Sequence, residues 1–298
     1  MTGIICLNKP QGITSFLAVA KARRLVGEKK AGHTGTLDPM ATGVLPIMFG
    51  GATRFLELLP TSNKRYTAKF KLGITTDTLD ITGTVKSECN VVSTKQDVLD
   101  SLNSFRGDIM QLPPMYSAVS KDGVRLYELA RKGIEIEREK REITIYHLEL
   151  ISSDEQNNEY EIDVECSAGT YIRTLIADIG EMLGCGAVMT QLCRTSANGF
   201  SLEDCVTLEE LEIIVRDSKL GSVINNVDTT LSSYNELVVT QAQAKRFANG
   251  GALSTDRIGK CKAQGLYRVY SPEKQFLGIG EIKDGSDELS VKRVFVEK

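Results

Sequence analysis

Hydrophobic and polar residues alternate most regularly in two stretches, Lys64–Leu72 and 160–166. In the first, Tyr66, Ala68, Phe70 and Leu72 fall on one side, and Thr67, Lys69 and Lys71 fall on the other. A period of two residues predicts half-buried β-strands. Tyr66 is therefore expected on a buried strand face whose opposite face is basic, where it is either a core side chain or part of a site.

Other segments show the signals of further elements. Strands are predicted at 3–7, 44–49, 142–150, 266–270, 276–282 and 291–296, with polar loops at 75–83 and 152–158. Helices are predicted at 15–26, 52–59 (ended by Pro60), 95–105, 124–131 and 240–248, after residue 170, and from 207 onward. In the first helix, Phe16 and Val19 are expected to face inward and Lys21, Arg23 and Arg24 outward.

The pattern changes near residue 233, where a short helix and closely spaced short strands follow a long helical and loop region. This indicates a small, separate β-rich unit at 233–298 after a larger unit at 1–232.

Residues 32–46 form a loop of unusual composition, with three glycines, two prolines and a single acid, Asp38. Gly32 and Gly35 are expected to adopt positive φ or to allow close backbone approach, and Pro39 restricts Asp38 to extended geometry. The carboxylate of Asp38 is either held in one direction for chemistry or simply caps a turn. The loop alone does not decide between them.

The composition of the 298 residues, 41% hydrophobic and 25% charged, is that of a globular protein with a sizeable core. The net charge is −3, yet residues 1–75 contain eleven lysines and arginines against three acids. A basic first quarter around Asp38 is the distribution expected where a polyanion binds. The alternative for the bases at 21, 23 and 24 is a solvated helix face.

The seven cysteines form no C-x-x-C pair, which favours reduced thiols, and the two histidines, His33 and His147, offer little for a zinc site. Without a signal-peptide pattern or a long apolar run, the protein is expected to be cytoplasmic.

Nucleotide-binding and hydrolase motifs are missing from the sequence: it has no G-x-x-x-x-G-K-[ST] loop and no G-x-S-x-G elbow. An acid, an arginine and a tyrosine beside a basic face suit chemistry on a base that is extruded from folded RNA. Arg173 is predicted in the first turn of a helix, where the dipole disfavours a cation, so a carboxylate partner or simple solvation must compensate. A nearby arginine would lower the pKa of that carboxylate by roughly 1–3 units.

Several motifs in register now resemble the TruB family of tRNA pseudouridine synthases. They are Lys9-Pro10 with Gly12, Gly32-His33-Thr34-Gly35-Thr36-Leu37-Asp38-Pro39, Ala41-Thr42-Gly43-Val44-Leu45-Pro46, Lys64-Arg65-Tyr66, Thr76-Asp77-Thr78, Pro113-Pro114-Met115-Tyr116-Ser117-Ala118, Leu126-Tyr127-Glu128 and Gly169-Thr170-Tyr171-Ile172-Arg173. The match spans about residues 3–200. The tail, with Leu277-Gly278-Ile279-Gly280-Glu281, resembles a PUA RNA-binding domain.

The resemblance implies an α/β (α+β) pseudouridine-synthase fold, with a mixed, mostly antiparallel bent sheet flanked by helices and a PUA-like domain. It implies isomerisation of the T-loop uridine (uridine-55) of tRNA to pseudouridine by base flipping, cleavage of the glycosidic bond and reattachment at C5. No cofactor or metal is implied, nor a guide RNA, a membrane or an obligatory protein partner. A monomer that binds the tRNA T stem-loop is expected.

On the same resemblance, Asp38 is the essential carboxylate, Arg173 its ion-pair partner, and Tyr66 the ring that stacks on the flipped uracil. Substrate contacts are implied for His33, which would fill the space that the base vacates, for Leu192 against the uracil, and for Lys9, Lys64, Asp80 and Tyr171. The family usually has a lysine directly after Tyr-Ser-Ala-Val, whereas this chain has Ser120 and then Lys121, so that lysine's contact is not carried over.

Two other functions compete with this interpretation. One is an RNA-binding or RNA-folding protein that uses the same groove without chemistry; Asp38, Tyr66 and Arg173 together argue against it, because binding alone needs no directed carboxylate. The other is a guide-dependent relative within a ribonucleoprotein, which usually carries additional sequence for its partners. Whether Asp38 attacks the sugar or the uracil ring is left open.

Overall fold

The computed structural model of the chain describes residues 1–59, 63–121, 123–258 and 263–295. Its strands are β1 Gly3–Lys9, β2 Ala31–His33, β3 Thr42–Phe49, β4 Lys64–Leu72, β5 Ile74–Thr76, β6 Val85–Glu88, β7 Gly107–Gln111, β8 Ser120–Lys121, β9 Val124–Arg125, β10 Arg141–Asp154, β11 Glu159–Cys166, β12 Ala187–Ala197, β13 Phe200–Ser201, β14 Asn235–Val238, β15 Leu253–Ser254, β16 Gly265–Tyr270, β17 Phe276–Ile282 and β18 Glu288–Val294. Its α-helices are α1 Ser15–Val26, α2 Lys95–Asn103, α3 Leu126–Ala130, α4 Ile172–Met182, α5 Leu208–Arg216 and α6 Gln241–Ala248.

The larger unit is built on one sheet with the strand order β1-β3-β12-β4-β11-β10-β7, to which β2 and β13 are attached at β3 and β12. Neighbouring strands are antiparallel except β3 and β12, which run parallel. With helices packed against it, this sheet confirms the predicted mixed architecture.

One face of the sheet carries the main core, into which α1, α2, α4 and α5 bury apolar side chains. The predicted inward face of α4 is buried: Ile172, Leu175, Ile176 and Ile179 are at most 4% exposed. Because apolar residues at this spacing fill one stripe of a helix, α4 has a fixed rotation on the sheet. Its first turn, which carries Arg173, is therefore fixed as well.

A second sheet, ordered β14-β16-β17-β18-β15, forms the small unit with α6 and has its own apolar core. It packs on the larger unit through a cluster of Phe55, Phe276 and Phe295, whose ring centroids lie 5.5–6.1 Å apart. The Tyr234 hydroxyl also donates a hydrogen bond of 2.8 Å to the carbonyl of Leu58. The domain boundary between residues 232 and 233 stays a prediction.

Several elements differ from the sequence prediction. Phe16 points outward and is 80% exposed, because α1 buries Ser15, Ala18, Val19 and Ala22 instead. The segment Gly50–Leu58 is a 3₁₀ helix, and the loop at 75–83 contains one strand of the β5–β6 hairpin. Strands β7 and β12 had no predicted counterpart. Pro60 and residue 296, predicted to end a helix and a strand, lie outside the described residues.

Within the described ranges, no helix has the length and the apolar character needed to cross a membrane.

Candidate active site

A cavity of about 850 Å³ opens on the larger unit where the 34–41 loop, β4, β12 and the start of α4 meet. The three predicted catalytic side chains, Asp38, Tyr66 and Arg173, all line it. So do four of the predicted substrate contacts, Lys64, Asp80, Tyr171 and Leu192. Residues from five separate parts of the sequence are thus brought to one place.

The loop that carries Asp38 is fastened to its surroundings on both sides of the carboxylate. The hydroxyl of Ser15 donates to the carbonyl of Leu37 at 2.9 Å and accepts from the Leu37 amide at 2.8 Å. On the other side, the amide of Gly12 donates to the carbonyl of Pro39 at 2.8 Å. Because both neighbours of Asp38 are hydrogen-bonded, Leu37 to the Ser15 hydroxyl and Pro39 to the Gly12 amide, the side chain of Asp38 leaves the loop in a fixed direction.

The glycine with positive φ in this stretch is not one of the two for which positive φ was expected. Neither Gly32 nor Gly35 has positive φ, whereas Gly43 has a φ of 101°. A Cβ at Gly43 would lie 2.2 Å from the carbonyl oxygen of Arg194, its partner in the parallel pairing of β3 with β12. Gly43 therefore allows these two strands to approach beneath the site.

Asp38 and Arg173 form an ion pair, with Nη2 of Arg173 3.1 Å from Oδ2 and 3.4 Å from Oδ1 of the carboxylate. The guanidinium also donates to the carbonyls of Tyr116 at 2.7 Å and Thr78 at 3.3 Å. The Arg173 side chain is only 6% exposed, whereas that of Asp38 is 34% exposed. The arginine is held in the wall while the carboxylate faces the open cavity.

Burial raises the pKa of Asp38, an effect that Arg173 and Lys9 oppose and that Asp80 reinforces. The direction is opposite to the lowering expected from the arginine alone, because removing a carboxylate from water disfavours its charged form. Arg173 thus favours the ionised form of this carboxylate.

Asp80 belongs to a second loop in the cavity wall and is 5% exposed. Its Oδ1 accepts from the hydroxyl of Thr78 at 2.9 Å, and from the hydroxyl and the amide of Thr82 at 2.6 and 3.0 Å. The loop is tied to β12, since the amide of Ile81 donates to the carbonyl of Met189 at 2.9 Å. The carboxylate of Asp80 thereby sets the shape of this wall.

Tyr66 and Leu192 supply an apolar part of the cavity, with exposures of 6% and 8%. Burial raises the pKa of the Tyr66 hydroxyl, and the positive charge of Arg194 partly offsets this. Lys64, at the start of the same strand, is half-buried, and burial lowers the pKa of its ammonium. The cavity thus offers a flat ring, an aliphatic side chain and a cation within one recess.

Tyr171 stands at the N-cap of α4 and is held by Gln111. The Gln111 side chain accepts from the Tyr171 amide at 2.8 Å and donates to its carbonyl at 3.1 Å. The Tyr171 ring centroid lies 6.0 Å from Cζ of Arg173. Gln111 therefore fixes the backbone from which both Tyr171 and Arg173 project.

Lys9 and His33 do not line the cavity. Lys9 is fully buried, and its ammonium donates to the carbonyls of Pro10, Ile13 and Pro39 at 2.8, 2.8 and 3.3 Å. Burial lowers the pKa of Lys9 to about 8. Because its three N–H groups all donate to these carbonyls, Lys9 stabilises the loop next to Asp38 and does not face the cavity.

His33 ends β2, and its Nδ1 is buried without a hydrogen-bond partner. Burial, reinforced by Arg194, lowers the pKa of the imidazole. A neutral ring is therefore favoured at this position, beside the loop and not within the cavity wall.

Arg194 is a residue that the sequence analysis missed. It is fully buried in β12, and its guanidinium donates to the carbonyls of Val44 at 2.8 Å, Gly35 at 3.0 Å and Thr36 at 3.4 Å. All three acceptors are neutral backbone groups at the two ends of the Asp38 loop. The available signal was its spacing of two residues from Leu192, which places both on one side of a strand.

The arrangement combines a fixed carboxylate, three buried or half-buried cations (Lys64, Arg173 and Arg194) and an apolar recess. Carboxylates of this kind act as nucleophiles or stabilise positive charge at a sugar carbon. Of these cations, Lys64 lines the cavity and suits a phosphodiester backbone, and the recess suits a flat base. The site can therefore hold a nucleotide with its ring against Tyr66 and Leu192, which lie on the adjacent strands β4 and β12.

Three family models match the chain in succession. "TruB family pseudouridylate synthase (N terminal domain)" matches residues 23–172, "tRNA pseudouridylate synthase B C-terminal domain" matches 173–232, and "Pseudouridine synthase II TruB, C-terminal" matches 236–295.

Curated relatives and solved structures agree with these matches. The tRNA pseudouridine synthase B of Clostridium kluyveri is 44% identical over 285 residues, which is 95% of this chain and 96% of that protein. The protein of the same name from Azoarcus sp. is 45% identical over 284 residues, 95% of this chain and 92% of that protein. A chain of a Cbf5–Nop10–Gar1 complex superposes with a TM-score of 0.76 at 25% identity, covering 99% of this chain and 85% of that chain.

Proposed function

The chain belongs to the TruB family of pseudouridylate synthases, and we propose that it converts the T-loop uridine of tRNA, uridine-55, to pseudouridine. The observation that supports this most strongly is the Asp38–Arg173 ion pair at 3.1 Å, which opens into a cavity lined by Tyr66 and Leu192. A directed carboxylate beside a base-sized apolar recess is what the isomerisation requires.

The reaction breaks the bond between C1′ of the ribose and N1 of uracil and forms a bond between C1′ and C5. The C5 proton is lost and N1 gains a proton, so the product is an isomer of the substrate. No oxidant, reductant or second substrate is consumed. The protein must therefore supply a carboxylate, hold the detached base and move one proton.

In this proposal, Asp38 is the carboxylate that chemistry requires, and Arg173 keeps it ionised. Tyr66 stacks on the uracil that has left the RNA helix, and we assign to its hydroxyl the removal of the C5 proton. Leu192 packs against the same base. Lys64, Asp80 and Tyr171 complete the wall that excludes water once the base is inside.

The substrate is a folded tRNA, bound through its T stem-loop. The basic excess of residues 1–75 supports a polyanionic partner, and the unit at 233–298 adds eleven lysines and arginines against eight acids. We assign to this second unit a PUA-like role in holding the RNA. The chain is 44% identical to a tRNA pseudouridine synthase B and 25% identical to a chain of the Cbf5–Nop10–Gar1 complex, which favours action without guide RNA or partner proteins.

The deciding experiment incubates unmodified tRNA with the purified protein and maps pseudouridine by chemical labelling and primer extension. A modified base at the T-loop uridine supports the proposal. A protein that binds the tRNA tightly yet leaves every uridine unchanged would instead be an RNA-binding protein without this chemistry.

A further inference from the structure

An aromatic side chain is exposed at the mouth of the cavity. Phe16, in the first turn of α1, is 80% exposed and lines the cavity with Asp38. An isolated exposed phenylalanine on a protein surface needs no explanation. A phenylalanine at the opening of a site lined with cations does need an explanation.

Phe16 is held at a fixed position relative to Asp38. Its neighbour Ser15 is buried and makes the two hydrogen bonds to Leu37, the residue directly before Asp38. The backbone of Phe16 is therefore linked to that of Asp38 through the two hydrogen bonds between the residues that precede them, Ser15 and Leu37. The ring therefore projects from a backbone held close to Asp38, in the cavity that both residues line.

A second aromatic group lines the same cavity from α3. The Tyr127 ring is 36% exposed, and Cζ of Arg131 lies 5.4 Å from its centroid. The amide of Tyr127 donates to the carbonyl of Ser117 at 3.1 Å, which attaches this short helix to the cavity wall. Exposed rings accompanied by arginine are the surfaces on which unpaired nucleobases stack.

The cavity is also larger than one base requires. Its volume of about 850 Å³ lies near the upper end of the range of roughly 300–1,000 Å³ typical of pockets that hold a whole small ligand. Tyr66 and Leu192 account for the deep part, which leaves the mouth for another group of the same RNA.

We propose that Phe16 is a stacking platform for the unpaired base adjacent to the uridine that enters the cavity. The ligand is thus a second nucleotide of the same RNA strand, held outside the catalytic recess. This inference rests on the proposed function, since it takes the flipped uridine as given. Phe16 makes a contact to substrate and takes no part in bond breaking.

The test uses a T stem-loop RNA with 2-aminopurine, whose fluorescence falls on stacking, placed on the 5′ or the 3′ side of the target uridine. Binding is measured in an Asp38→Asn background so that no product forms. We expect fluorescence to fall at one of the two positions with Phe16 present. Phe16→Ala should abolish that change and weaken binding by about 5- to 150-fold, the range of one base–aromatic stack.

Two variants serve as controls. Phe16→Tyr keeps the ring and should keep both the quenching and the affinity. Leu17→Ala removes an exposed apolar side chain from the same turn, one that does not line the cavity, and should change neither. Melting temperatures of all variants are expected to agree closely, because Phe16 is exposed.

Unchanged affinity and unchanged quenching in Phe16→Ala would overturn the inference. The two failures can be told apart with Asp38 intact: if the parent protein forms no pseudouridine, the proposed function fails. If the parent isomerises the RNA and Phe16→Ala binds and reacts at the parent level, only the role of Phe16 fails.

Discussion

Nη2 of Arg173 lies 3.1 Å from Oδ2 of Asp38, although Arg173 is the second residue of α4, where the positive end of the helix dipole disfavours a cation. The carboxylate and the carbonyls of Tyr116 and Thr78 compensate for this unfavourable position. In return, the arginine opposes the effect of burial on the pKa of Asp38. The carboxylate thus stabilises a cation at the helix N-terminus, and the cation stabilises the charged form of the carboxylate.

Asp38→Asn should abolish isomerisation while tRNA binding stays within a fewfold of the parent, because the amide keeps the shape of the carboxylate and loses its charge. Single-turnover assays and filter binding measure the two effects. Asp163→Asn is the matched control, since Asp163 is also paired with an arginine, Arg65, but lies outside the cavity. Substantial turnover by Asp38→Asn would refute the assignment.

Arg173→Met should shift the acid limb of the pH–rate profile to higher pH. The reasoning is that burial already raises the pKa of Asp38, and Arg173 lowers it. Without the guanidinium, the ionised and active carboxylate is lost at a higher pH as the solution is acidified. Single-turnover rates from pH 5 to 9 give the midpoint, and Arg65→Met should leave it unchanged.

Tyr66→Phe should leave tRNA affinity intact and slow the chemical step, because the ring is kept and the hydroxyl is removed. Tyr66→Leu should impair both, with binding weakened by the roughly 1–3 kcal/mol that stacking on an aromatic ring contributes. Affinity, single-turnover rate and melting temperature are measured for both. If Tyr66→Phe melts early yet reacts at the parent rate, Tyr66 is a core residue only.

Arg194→Met should destabilise the fold by at least about 3 kcal/mol, since it leaves the carbonyls of Gly35, Thr36 and Val44 without donors at roughly 1–3 kcal/mol each. Arg194→Lys should recover part of this loss. The chain has no tryptophan, so urea unfolding is best followed by circular dichroism. A loss below about 1 kcal/mol would show that water replaces the guanidinium.

Replacing Lys21 and Arg24, both exposed on α1, with alanine should flatten the salt dependence of tRNA binding. Each phosphate contact contributes roughly 0.7–0.9 to the slope of log K against log salt. The control pair is Arg216 and Lys219, exposed cations that contact Asp217 instead. An equal slope in the Lys21 and Arg24 variant would mean that these bases are only solvated.

Sequence patterns were most informative where one face of an element is uniformly buried. The alternation in β4 predicted the buried side of Tyr66, and the spacing in α4 predicted the face that fixes Arg173. Composition indicated that the Asp38 loop has a defined shape, since proline restricts the residue before it and glycine can adopt backbone conformations that other residues avoid.

The hydrophobic pattern was uninformative at positions where polar side chains are buried near the site. Strand β12 was missed because Thr190, Gln191, Arg194 and Thr195 interrupt its apolar residues, although it lies in the middle of the sheet. Phe16 was predicted to face the core because it is hydrophobic. Hydrophobicity alone does not distinguish a buried ring from an exposed one. The acceptors of Lys9 are backbone carbonyls, which leave no trace in the identity of the residues that carry them.

The place of β12 between β3 and β4 has a consequence for the time course of synthesis. The 114 residues between the end of β4 and the start of β12 take roughly 6 to 23 s to make at about 5–20 residues per second. Until then the facing edges of β3 and β4 lack the strand that joins them, and unpaired edges invite pairing with other chains. The nascent protein is therefore most exposed to aggregation during the interval in which β3 and β4 have been translated and β12, the strand that joins them, has not.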